Sequence, residues 1–246
     1  MKSPLSSTLI LLFLTLFARP VLAAEGLFIA SAANFILPLE ELAATYTGQH
    51  GVSLTLSYGS SGKLYAQLLN GAPYDLFLSA DKNRPTLLHE QGLCEAPFQY
   101  AAGRVVLWSA TIPATDTTWQ EALAQNDGKI AIASPETAPY GEVPFQALQR
   151  QGLIKEIQSR LVFGQSVGQT FLFAKAGAAS FGFIALSQAL SPQGTKGNYW
   201  DIPESDNVEQ WGCVPTSTKN RTASRKVQDF LTGPTAQAVI RSHGYK

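Results

Sequence analysis

The sequence predicts a doubly wound α/β protein on parallel sheet, and three observations carry that reading. One local pattern recurs four times: a short β-prone run, a stretch of small or polar residues, then an amphipathic helical run. An apolar share of 45%, with 20 Gly and 14 Pro in 246 residues, is that of an ordinary globular chain able to bury a sizeable core. No repeat of fixed period and no low-complexity linker divides the chain.

The first 24 residues read as a signal peptide. Lys2 gives a short basic start, 9–17 is an apolar run of signal-core length, and Val21-Leu22-Ala23 places a small-x-small pattern before a cleavage point after Ala23 or Ala24. The run is too short to span a bilayer, and no later segment approaches the ~20 apolar residues needed. Cleavage removes Lys2 and Arg19, leaving 16 basic against 18 acidic side chains, a net of −2. The mature chain is expected to be soluble, exported and free of a lipid anchor.

The first strand–turn–helix unit is Leu27-Phe28-Ile29-Ala30, then Ser31-Ala32-Ala33-Asn34, then a helix carrying Leu39, Leu42, Ala43 and Tyr46. Pro38 sits near its first turn, where proline is best tolerated, and Gly48 or Gly51 closes it. The second runs from 52–57 through Tyr58-Gly59-Ser60-Ser61-Gly62 to a helix with Leu64, Tyr65, Leu68 and Leu69, stopped by Asn70-Gly71. The third is 129–133, the turn 134–141, and a helix with Phe145 and Leu148. The fourth is 160–163, then Gly164-Gln165-Ser166-Val167-Gly168, then a helix through Phe171, Leu172 and Ala174 to Gly177. Further strands fit at 74–78, 104–108, 179–184 and around 212–215, and 224–241 reads as two helices broken at Gly233-Pro234.

Composition excludes several functions. A formal charge of zero leaves no basic excess to neutralise nucleic-acid phosphates. Three His and two Cys, with no CxxC or HExxH, leave little material for a transition-metal site. Gly59-Ser60-Ser61-Gly62-Lys63 lacks P-loop spacing and is not the GxSxG elbow of a hydrolase, with His243 the only conveniently placed base. Asp75 and Asp81 read as turn or cap residues, and the four Trp as core or surface cover. Export permits a disulfide between Cys94 and Cys213, 119 positions apart, which would contribute about 4–5 kcal/mol through the unfolded chain. Two buried free thiols are the alternative.

The four turns share one chemistry. Each brings unpaired helix N-terminal amides to the carboxyl edge of a sheet, where with hydroxyls they bind anions without Lys or Arg. Ligands of open α/β sheets sit at that edge or between domains. Helix capping by Asn34, Ser61 and Ser166 explains any one turn as well. Four such uncharged turns in an exported chain point to a binding site. None places a basic residue at the leading helix position, Lys63 coming closest, so the bound anion is expected to touch no Lys or Arg.

Several motifs fall in a telling order: Ala33-Asn34-Phe35, Gly59-Ser60-Ser61-Gly62 with Tyr65-Ala66-Gln67, Asn70-Gly71-Ala72-Pro73-Tyr74-Asp75 and Ser79-Ala80-Asp81. Ala138-Pro139-Tyr140-Gly141, Ser166-Val167-Gly168-Gln169 and Gly182-Phe183 follow. From Leu27 to Tyr245 the chain resembles the periplasmic molybdate-binding proteins, the substrate-binding subunits of ABC importers for molybdate and tungstate. The resemblance implies a periplasmic binding protein of type II, with two doubly wound lobes joined by two crossover segments and the ligand in the cleft. Lobe I would take 25–102 with 208–246 and lobe II 103–207, putting both Cys in or beside lobe I, which suits an intralobe disulfide.

Carried over by position, the oxyanion would be held by the Ala33 amide, Asn34, the hydroxyl and amide of Ser61, and the backbone amides of Tyr140 and Val167. These contact the oxo groups, with no direct ligand to the metal and no cofactor. The implied partners are the oxyanion and the membrane permease of an ABC importer, the chain acting as a periplasmic monomer and not as an enzyme. Two positions depart from relatives: Ala33 stands where some carry a hydroxyl residue, and Ala185 where some carry a Tyr. The site should therefore lean on backbone N–H groups. Two rivals stand beside this reading: a carrier of the same architecture for another oxyanion or small solute, and an exported hydrolase using Ser60 or Ser61 with a His–acid partner the sequence does not supply.

Overall fold

In the computed structural model residues 26–246 are described; the leader predicted at 1–24 lies outside them. Among the described residues ten strands form two five-stranded sheets. The strands are β1 (Leu27–Ala32), β2 (Leu54–Gly59), β3 (Leu76–Ser79), β4 (Phe98–Gly103), β5 (Val105–Ser109), β6 (Ile130–Ala133), β7 (Leu161–Gly164), β8 (Phe181–Ala185), β9 (Asn198–Asp201) and β10 (Val208–Cys213). The helices are α1 (Ile36–His50), α2 (Ser61–Leu69), α3 (Asn83–Glu90), α4 (Trp119–Ala124), α5 (Pro139–Arg150), α6 (Ile154–Ile157), α7 (Val167–Lys175), α8 (Leu186–Ala189), α9 (Arg221–Thr232) and α10 (Pro234–Ser242).

Lobe I carries the sheet β2-β1-β3-β10-β4 and lobe II the sheet β7-β6-β8-β5-β9. In each, the first three strands are parallel: β1 pairs with β2 and β3, and β6 with β7 and β8. Their sequences suit a sheet covered on both faces, with β3 (LFLS) and β6 (IAIA) buried throughout. The remaining pairings add antiparallel strands to the parallel sheet read from the strand–helix alternation. β10 runs antiparallel to β3 and β4, and β5 antiparallel to β8 and β9. These are the strands that carry the chain between lobes, β4 into β5 and β9 into β10, and a chain arriving from the other lobe enters its new sheet from the cleft end. β4 and β9 are absent from the sequence expectation, and β10 begins four residues before the run at 212–215.

Local signals explain the boundaries. Gly51, at φ 67°, ends α1 in the left-handed conformation and donates its N–H to Thr47 O. Ser60 caps α2 and Ser166 caps α7, while Pro139 and Pro234 open α5 and α10. Lobe I buries two clusters: α1, α9 and α10 cover one, built on Leu27, Ile29, Phe35 and Leu39, and α2 covers the other, built on Leu64, Phe77 and Leu88. The second contains Cys94 and Cys213, which are joined as a disulfide with Cα atoms 5.9 Å apart. Lobe II has one core, which takes in Trp108, Trp119 and Trp200. Trp211 instead is half-buried, with the Lys82 ammonium 4.7 Å from its ring centre. The C-terminal tail closes on β4 through paired bonds between Ala102 and Lys246.

Candidate functional site

Both parallel trios end at the same place, the cleft between the lobes. The chain leaves β1 into a short 3-10 turn at Ala33–Phe35, β2 into α2, β6 toward α5 and β7 into α7. A cavity of about 10 Å³ lies where these exits converge. Its walls are Ala32, Ala33, Asn34, Gly59, Ser60, Ser61 and Ala80 from lobe I, and Ala138, Pro139, Tyr140 and Val167 from lobe II. As it stands the cavity is compact, which suits a small ligand. All five residues singled out from sequence line it, and none of the lining residues is charged.

The donors follow from helix geometry. Ser61 and Val167 are the first residues of α2 and α7, and Tyr140 is the second of α5, so their N–H groups have no carbonyl behind them within the helix. Ser61, 1% exposed, adds its hydroxyl: Oγ accepts the Ala80 N–H at 2.9 Å, leaving the proton free to donate into the cavity. Val167 is held from behind by Gln188, whose Nε2 donates to Val167 O at 3.3 Å and whose Oε1 accepts the Ala185 N–H at 3.0 Å. Gln188 thus steadies that wall from the strand end where Ala185 stands.

Asn34 differs from the simplest carry-over. Its carboxamide donates one proton to Gln210 Oε1 at 2.7 Å and the other to Tyr245 Oη at 3.0 Å, so neither is left for an anion. Its backbone carbonyl accepts from Tyr245 Oη at 2.7 Å and from Ser187 Oγ at 3.0 Å, the latter across the cleft. What Asn34 can offer the cavity is its backbone N–H, beside that of Ala33. The Tyr140 phenol enters the same buried cluster, next to Tyr245 and Asn34, without a hydrogen bond of good geometry. Burial, aided by the neighbouring Tyr245 and Tyr100, pushes it well above the ordinary phenol value.

Other candidates are placed elsewhere. Asp75 accepts the Phe28 N–H at 2.8 Å and hydrogen bonds from Thr218 and Asn220. Asp81 accepts the Arg84 N–H at the start of α3. Asp81 is the local cap the sequence suggested, whereas Asp75 ties β1 to the 218–220 turn through partners far along the chain. His243 Nε2 lies 2.9 Å from Glu41 Oε2, and no histidine lines the cavity beside Ser60 or Ser61. Lys63 is not in the cavity wall but borders the wider groove that shares Ala33, Asn34, Gly59 and Ser60 with it. Sequence reasoning missed the parts of Ala80 and Gln188; the Ser79-Ala80-Asp81 motif was visible, but an amide's role leaves no side-chain signature.

Two lobes closing on an uncharged cage of N–H and O–H groups define a two-lobed solute-binding protein. The sequence model described as bacterial extracellular solute-binding protein matches residues 27–246. The chain is 36% identical over 228 residues to the molybdate-binding protein ModA of Rhodobacter capsulatus, covering 91% of this chain and 89% of that one. The solved Azotobacter vinelandii periplasmic molybdate-binding protein superposes with a TM-score of 0.84 at 37% identity, over 89% of this chain and 98% of that one. The chain belongs to the bacterial extracellular solute-binding protein family, in the branch of the ModA molybdate-binding proteins. The sulfate-binding protein SubI of Mycobacterium tuberculosis, at TM-score 0.77 and 14% identity, shares the fold alone.

Proposed function

We propose that this chain binds molybdate, and tungstate nearly as well, between its lobes and delivers the ion to the membrane permease of an ABC importer. On this reading it works in the periplasm as a monomeric carrier, with no cofactor and no catalytic step. Lobe I comprises 25–102 with 208–246, lobe II comprises 103–207, and the ion lies on the amides of Ala33, Asn34, Tyr140 and Val167 and on the amide and hydroxyl of Ser61. The observation that carries the reading is the uncharged donor cage drawn from both lobes, with the Ser61 hydroxyl proton free. The relatives' names supply the ion.

The chemistry is that of a dianion met by neutral donors. Charge-assisted hydrogen bonds are worth roughly 1.5–3 kcal/mol each, so five to seven would support about −8 to −12 kcal/mol after the costs of association. A protonated phosphate needs an acceptor for its O–H, and no carboxylate lines the cage. Sulfate has shorter bonds to oxygen, which leaves donors set for a larger tetrahedron out of reach. Molybdate and tungstate are too alike in size for donor geometry to separate. Closure of the lobes on the ion would couple occupancy to the shape offered to the permease.

Calorimetric titration of ligand-free protein tests this. Molybdate and tungstate should bind within about tenfold of each other, or 1.4 kcal/mol, and sulfate and phosphate weaker by roughly two or more decades. Phosphate binding equal to or tighter than molybdate would leave only a generic oxyanion carrier.

A further inference from the structure

We propose that Arg84, aimed by Asp81, is a positioning residue that sets how long the bound anion is retained, by tying lobe I to the lobe II turn that leads into Tyr140. The proposal rests on the oxyanion reading above. Arg84 is the second residue of α3, and its guanidinium serves two partners at once. Nη1 bonds Asp81 Oδ2 at 2.6 Å, and Nη2 donates to the carbonyl of Glu136, in lobe II, at 3.0 Å. Asp81 is itself fixed, accepting the Arg84 N–H at 2.7 Å on Oδ1 and the Ser79 hydroxyl at 3.2 Å on Oδ2. Both charged side chains are largely shielded, 16% and 17% exposed.

A second bond lands beside the first. The Gly62 N–H, one residue past Ser61, donates to Thr137 O at 2.8 Å. A Cβ at Gly62 would lie 3.0 Å from both Cα and O of Thr137, so only glycine lets the backbones approach without displacement. The turn that accepts both bonds is internally braced, Thr137 and Ala138 each donating to Ser134 O. It continues into Ala138-Pro139-Tyr140, the lobe II wall of the cavity, while Asp81 follows Ala80 in the lobe I wall. Arg84, Asp81, Glu136 and Thr137 do not line the cavity.

The lobes are joined covalently only at the two crossovers, so bonds between α3 and this turn exist only when the cleft is shut. An anion caged on all sides leaves after the lobes part, and these bonds must break first. They should therefore slow dissociation and leave association nearly untouched. Arginine suits the task because its planar fork reaches a carboxylate and a carbonyl together, which a lysine ammonium does with poorer geometry.

Stopped-flow release of molybdate from wild type, Arg84→Ala and Arg84→Lys, with the melting temperature of each ligand-free protein, tests the proposal. Both variants should release the ion roughly 3- to 10-fold faster with association changed less than about twofold, as expected for a lost charge-assisted bond at a partly exposed site. Arg84→Lys keeps the charge, so faster release from it separates the tie from simple attraction of the anion, and it decides the matter if Arg84→Ala melts early. Unchanged release from Arg84→Lys, or an effect confined to association, overturns the proposal. Tungstate and sulfate run in parallel on wild type. If another of these is retained and molybdate is not, the molybdate reading fails and Arg84 is judged on that ion; if none is retained, both fall.

Discussion

The two lobes repeat one strand order and direction, so their cleft turns can be compared position by position. After β2 the chain reads Ser60-Ser61, and after the corresponding β7 it reads Ser166-Val167. Both serines cap, each accepting the N–H three residues on, Lys63 or Gln169, at 3.4 Å. The next residue leads its helix and faces the cavity in both lobes. In lobe I it is a serine whose hydroxyl is oriented by Ala80; in lobe II it is a valine packed into the core. The same backbone slot thus supplies an amide and a hydroxyl on one wall and an amide alone on the other. Deleting a side chain can break the lobe I wall, whereas the lobe II wall fails only when its backbone moves.

Gly141 offers the strongest way to move it. A Cβ there would lie 2.0 Å from Ala133 O and 2.6 Å from Ala133 C, backbone atoms at the end of β6 that cannot swing aside. Gly141→Ala must therefore push the start of α5 off the sheet, and the Tyr140 amide goes with it. Overpacking of this kind costs about 2–3 kcal/mol of stability. Molybdate affinity should fall at least about tenfold as well, since one donor of a rigid cage is displaced. Thermal melts and titration of the same preparation check both; wild-type affinity in a folded variant would mean that the Tyr140 amide is not a donor.

Ser61→Ala and Val167→Ala test the contrast within the matched slot. Removing the Ser61 hydroxyl should weaken molybdate binding by about 1–3 kcal/mol, because a desolvated dianion loses a donor. Val167→Ala keeps the amide and should shift affinity by less than about 0.5 kcal/mol while costing stability by roughly 1 kcal/mol or more through lost packing. Calorimetry and denaturant melts on the pair separate the two quantities. Equal losses of affinity would mean that the lobes do not divide the work as their side chains suggest.

How much of this could be read from sequence follows the range of the interactions involved. β1, β6 and β7 were legible to within about two residues because each is a short apolar run, although β7, at the sheet edge, leaves Phe163 exposed. β4 was not, since half of its FQYAAG is Ala and Gly with little strand preference, and β9 (NYWD) begins and ends on polar residues and makes no apolar run. The antiparallel pairing of β10 was illegible because strand direction is set by partners far along the chain. At the site, the leading amides of α2, α5 and α7 followed from turn chemistry and motif order. The commitment of the Asn34 carboxamide did not: its partners Gln210 and Tyr245 lie 176 and 211 positions away, and nothing local marks them.

Tyr140 gives the finest test, because its amide and its phenol lie in different surroundings. The amide faces the cavity, while the hydroxyl is buried without a partner beside Gly103, where a Cβ would lie only 2.0 Å from it. Tyr140→Phe removes a desolvated, unpaired hydroxyl and leaves the amide, so molybdate affinity should stay within about 0.5 kcal/mol and neutral-pH stability should hold or rise slightly. The alkaline side is where the variant departs from wild type. Burial raises the phenol of Tyr140, like that of Tyr100, well above its ordinary value, and that of Tyr245 to about 12. The unfolded chain gives up these protons near pH 10 while the folded chain keeps them, so stability is full below that point and falls as pH rises from it toward the folded values. Removing one of the three phenols should make the decline between about pH 10 and 12 shallower. Urea melts across that range would show it, and a slope as steep as wild type would mean that Tyr140 ionises as readily in the folded protein as in the unfolded one.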